Sequence, residues 1–130
     1  MPLLAAFVRG LLSMKKPWIA WVGCLIAANG IAPLYFLGAV EAQVVLAAAL
    51  AGMAIQLAIL RARGFVRLMG LGHVLWLAML PWLVARLALA PKGSALEAWI
   101  AVVLVLDCVS LAIDVTDVVR YARGERAPMA

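Results

Sequence analysis

Residues 98–119 read AWIAVVLVLDCVSLAIDVTDVV, twenty-two positions free of glycine and proline and interrupted by charge only at Asp107, Asp114 and Asp117. A helix rises 1.5 Å per residue, so this stretch is long enough to cross the ~30 Å of a bilayer's hydrocarbon. Three more apolar stretches precede it, 17–37, 44–60 and 68–90, of 21, 17 and 23 residues. Together they predict an all-α integral membrane protein, a four-transmembrane-helix bundle occupying residues 17–119. The second stretch is short, which predicts an upright helix or a locally thinned bilayer.

Composition agrees. Apolar residues make up 68% of the chain and charged residues 13%, with a mean hydropathy of +1.13. Soluble domains run at about 45–50% and about 25% respectively. With 130 residues there is room for one compact domain.

The net charge is +5, and its distribution is the informative part. Arg9, Lys15 and Lys16 precede the first span, Arg61, Arg63 and Arg67 join the second to the third, and Arg120, Arg123 and Arg126 follow the fourth. That puts nine of the eleven basic residues on one side and leaves Arg86 and Lys92 on the other. By the positive-inside rule both termini are expected in the cytoplasm, and the localisation expected is a bacterial inner (plasma) membrane crossed several times. Basic residues beside apolar spans point to anionic lipid head groups and away from nucleic acid; Lys15, Lys16, Arg61, Arg63, Arg67 and Arg120 are the expected contacts.

Residues 1–16 carry Leu3, Leu4, Phe7, Val8, Leu11 and Leu12 at helical spacing, which predicts a short amphipathic helix lying in the interface. A signal peptide is disfavoured, because the basic residues follow the apolar stretch instead of leading it. Residues 120–130 read as a basic cytoplasmic tail. Ser94-Ala95-Leu96-Glu97 has the form of a capping box and marks the start of the last helix. Cys24 and Cys108 fall inside spans with no CxxC spacing, and are expected to be packing residues.

Polar side chains at membrane depth are the candidate site. Asp107, Ser110, Asp114 and Asp117 fall within about 80° of one another around a helix, forming one stripe. Asp107 is the tenth residue of the stretch that begins at Ala98, near the bilayer centre, where an unpaired carboxylate costs at least ~2.5–3.5 kcal/mol. It must face the interior and either take a proton or find a partner. Counting inward, Asn29 is roughly level with Asp107, while Gln56, His73 and Asp114 share a level nearer the basic end. Glu41 and Arg86 are expected to pair at the outer end. Pro33 leaves the Asn29 carbonyl without its helical donor and Pro81 does the same to Leu77, so Asn29-Gly30-Ile31-Ala32-Pro33 is a candidate bend or small pocket.

Two functions fit. The first is a protein working by association with itself or with a larger membrane complex, favoured by small loops and by the small-residue pairs Ala48/Gly52 and Ala47/Ala51. The second is an oligomeric transporter or channel in which Asp107, Asp114 and His73 couple protons or ions. No cofactor or metal is expected: one histidine cannot ligate haem from both sides, and Glu-x-x-His pairs are absent. Asp107 and Asp114 stand about 10.5 Å apart along the axis, too far for one metal to bridge. The pattern points away from an enzyme.

Overall fold

A computed structural model describes residues 2–127. Helix α1 (Pro2–Leu12) leads into α2 (Lys16–Ile26), which continues through a π-helical turn (Ala27–Ile31) and a 3-10 turn (Ala32–Phe36). Helix α3 (Val40–Arg63) follows, then a 3-10 segment (Arg67–His73), α4 (Trp76–Leu89) and α5 (Ala95–Ala122). The described residues contain no strand. Three of these units are long and apolar enough to cross a membrane: Lys16–Phe36, Val40–Arg63 and Ala95–Ala122. The 3-10 segment and α4, bent by 41° at their junction, make a fourth if taken as one span.

The surface is apolar and the interior holds the polar groups, the reverse of a water-soluble fold. Leu50, Leu77, Leu89 and Val105 are each more than 60% exposed, whereas Asn29, Asp107 and Ser110 are buried. This is compatible with a multi-pass membrane protein whose outer surface meets lipid.

Two expectations are corrected. The second span is not short: α3 runs for 24 residues, about 36 Å, because helix begins at Val40, ahead of the uninterrupted apolar run. Polar Glu41 and Gln43 are absorbed in its first turn, with Gln43 Nε2 donating to the Leu37 carbonyl at 2.8 Å. The third span is not one continuous helix either. Its break falls after His73, while α4 continues through Pro81.

Glycine explains where the break lies. The 3-10 segment is wedged between α3 and α5. A Cβ on Gly52 of α3 would collide with the Gly72 carbonyl oxygen, and one on Gly72 with the Gln56 side chain. At Gly70 it would come within 3.1 Å of the Asp114 backbone carbonyl oxygen. Such close approach needs glycine, and two glycines in three residues also weaken the α-helix locally. Ala48 and Gly52 are thus used inside the fold, while Ala47 and Ala51 face outward.

The Pro33 signal resolves as a change of helical pitch. Lacking an N–H, Pro33 cannot extend the α ladder, and the preceding turn widens so that Ala32 N–H donates to the Ala27 carbonyl. Trp99 Nε1 donates to the Ala28 carbonyl at 2.9 Å, tying this turn to α5. Around it lies the apolar core, with Leu25, Val45, Trp76, Leu83, Ile100 and Val103 buried. Cys24 and Cys108 are exposed on the outer surface and pack in no core, contrary to expectation.

Helix α1 splits its apolar residues between two sides. Phe7 is buried, with its ring edge-on to Phe65 at 6.3 Å, while Leu4, Val8 and Leu12 face outward. At the start of α5, Ser94 Oγ accepts from Glu97 N–H at 3.1 Å, and Glu97 Oε1 accepts from Gly93 N–H at 2.9 Å. Ser94→Ala is expected to lower stability by about 1 kcal/mol, read as a shifted unfolding midpoint in detergent.

Candidate functional site: polar residues lining a half-open cavity

Four polar layers cross the molecule. In the deepest, Asn29 Nδ2 donates to Asp107 Oδ1 at 2.9 Å and to the Leu25 carbonyl at 3.1 Å. Asp107 is wholly buried and Asn29 is 4% exposed. One oxygen of each, Asp107 Oδ2 and Asn29 Oδ1, finds no hydrogen-bond partner among the described residues. The π turn holds Asn29 against α5, so the pitch change beside Pro33 positions this bond.

Two helical turns along α5, His73 Nδ1 lies 2.6 Å from Asp114 Oδ2. A carboxylate only accepts, so the imidazole N–H donates and its Nε2 remains for another partner. The ring stacks on Trp76 with centroids 3.9 Å apart and planes 9° from parallel. Gln56 belongs to the same region but bonds the backbone, its Nε2 donating to the Met69 carbonyl at 3.3 Å. The 3-10 segment ends at His73, which reaches Asp114 of α5, and Trp76, the first residue of α4, is buried in the core. Ser110, between the two layers, is buried.

The third layer stands at the basic end. Arg67 pairs with Asp117 at 3.4 Å and lies 3.7 Å from Glu125, and Arg120 bonds Glu125. The Arg120 guanidinium holds the Glu125 carboxyl below the usual carboxylate range. Arg67 and Arg120, expected among the head-group contacts, are therefore already engaged by acids. Lys15, Lys16, Arg61 and Arg63 are exposed. A fourth layer closes the opposite end, where Arg86 donates to Glu41 Oε1 at 3.1 Å and lies 5.7 Å from the Trp82 ring centre.

Between the first and third layers is a cavity of about 610 Å³, within the range of small-molecule sites. Its lining combines the polar Asn29, Gln56, His73, Ser110 and Asp114 with aliphatic residues of α3 and the indoles of Trp18 and Trp21. Lys15, Arg67 and Arg120 stand at its mouth. From Ser110 to Arg120 the cavity extends ten residues along α5, about 15 Å. Asp107 does not line it and sits behind Asn29.

The structure therefore separates residues that spacing alone places in one stripe. Asp107 is sealed in the interior, whereas His73, Asp114 and Asp117 border the cavity. The indoles and the Arg67–Asp117 pair were missed in the sequence; the signal was Trp76 three residues after His73, and the match in depth between Arg67 and Asp117. No group of three metal-ligating side chains occurs among the described residues. No protein-family model, curated protein or solved structure matches this chain.

Proposed function

We propose that this is a four-span bundle of the bacterial inner membrane, with both termini cytoplasmic, that takes a small solute into the cavity from the cytoplasmic side and moves it in exchange for protons or ions. The observation that carries this reading is the His73–Asp114 pair on the wall of a ligand-sized cavity. Ionisable side chains at membrane depth are expensive to keep, and they mark solute, ion and proton paths. Exposed Lys15, Lys16, Arg61 and Arg63 anchor it to anionic lipid. Val45, Leu83, Ile100 and Val103 pack beyond Asn29 and block the way through, so transport requires a second conformation. The 41° joint after His73 is the natural place for that movement.

Association with a second copy or with a larger membrane complex is the other reading. It is favoured by the outward-facing Ala47 and Ala51, whose spacing suits close helix approach.

Proteoliposomes test the first reading. Solute-dependent proton movement, followed with an entrapped pH dye over a panel of amines, acids and sugars, is expected for the unmodified protein. His73→Ala and Asp114→Asn are each expected to reduce it at least tenfold, while Glu41→Gln leaves it unchanged. Absence of movement for every solute would leave association as the function.

A further inference from the structure

Chemistry around the deep end of the cavity identifies the kind of molecule that fits it. Donors in that layer are already used: both bonds of Asn29 Nδ2 go to the Leu25 carbonyl and Asp107, and Trp99 Nε1 goes to the Ala28 carbonyl. Acceptors are in surplus. Asn29 Oδ1 and Asp107 Oδ2 are unpaired among the described residues but closed off within the packed interior, so the acceptor that an occupant can reach is the Asp114 carboxylate on the cavity wall.

Charge selects in the same direction. Of the three cations lining the cavity, Arg67 and Arg120 face Asp117 and Glu125 and are not free to hold an anion, and Lys15 is exposed at the start of α2, far along the chain from Asn29. Asp114 offers a counter-charge where a cation entering an apolar interior needs one. The indoles of Trp18 and Trp21 suit a cation or an apolar body, and Leu46 and Met53 of α3 add apolar lining.

We infer that the cavity binds an apolar organic amine in its protonated form, the ammonium directed to Asp114 and the apolar body lying against the indoles and α3. This rests on the reading of the cavity as a solute site and names its substrate class. An ammonium carrying N–H donors should be preferred both to a quaternary analogue of equal charge and to a carboxylate of equal size.

Calorimetric titration of the full chain in nanodiscs tests this with three probes: phenethylammonium, phenethyltrimethylammonium and phenylpropionate, with empty nanodiscs correcting for partition. Phenethylammonium is expected to bind at least tenfold more tightly than either of the others, and Asp114→Asn is expected to lose at least tenfold of that affinity. Equal affinity for the carboxylate or the quaternary ion, or no binding above empty nanodiscs, would overturn the inference. The comparison among probes uses the unmodified protein, so it holds even if Asp114→Asn fails to fold. Failure of the underlying reading looks different: phenethylammonium binds with the expected preference, yet no solute moves in proteoliposomes.

Discussion

Adding a single methyl group at Gly52 is expected to destabilise the protein by about 3 kcal/mol, the upper part of the range for overpacking, because the new Cβ meets a backbone oxygen. The Gly72 carbonyl cannot rotate away as a side chain could. To make room, the whole 3-10 segment must shift, and with it the Gly70 contact against α5. Gly72→Ala has a different obstacle, the Gln56 side chain, and should cost less. Gln56→Ala is therefore expected to recover most of the Gly72→Ala loss and none of the Gly52→Ala loss. Unfolding in mixed micelles, followed by helical circular dichroism, measures both. Equal midpoints for Gly52→Ala and the parent would mean that α3 and the 3-10 segment do not touch.

The second large effect concerns the deepest polar layer. Asn29→Leu removes the one side-chain donor to Asp107 and leaves a buried carboxyl with neither oxygen bonded. The expected loss is about 1–3 kcal/mol, the cost of an unsatisfied buried polar group. Converting both members together, Asn29→Leu with Asp107→Leu, should bring stability back near the parent, since neither side then carries an unmet polar group. Asp107→Asn keeps an oxygen facing Asn29 Nδ2 and should fall within about 1 kcal/mol of the parent. The same micelle titration decides. A double variant no better than Asn29→Leu alone would show that the pair does more than satisfy itself.

What could be read in advance, and what could not, divides along a physical line. Membrane spans are legible because a bilayer demands roughly twenty apolar residues in a row, and that demand is local in sequence. Depth is legible too: the rise per residue brings Asn29 level with Asp107 without any knowledge of packing. The break in the third span was hidden, since Pro81 drew attention to the wrong place. Pro81 lies at an exposed position on α4, where its missing N–H causes no break, whereas Gly70 and Gly72 matter through residues on α3 and α5 that no sequence window contains. Helix α3 began earlier than its apolar run because Glu41 has Arg86 for a partner, again a distant residue. The cavity itself leaves no local mark. It exists because α2 stands apart from the wedge formed by α3, the 3-10 segment and α5, and that divergence is a property of the assembled chain.

On the proposed function the chamber is entered from the basic side and stops at the Asn29–Asp107 layer. Thiol labelling tests this most directly. With Cys24 and Cys108 replaced by alanine, Gln56→Cys on the cavity wall and Val103→Cys in the core are exposed in turn to a membrane-impermeant maleimide. Gln56→Cys should react in inside-out vesicles and stay silent in right-side-out ones, while Val103→Cys reacts in neither. Labelling of Gln56→Cys from the outer face, or its failure to react where Lys15→Cys does, would contradict the account.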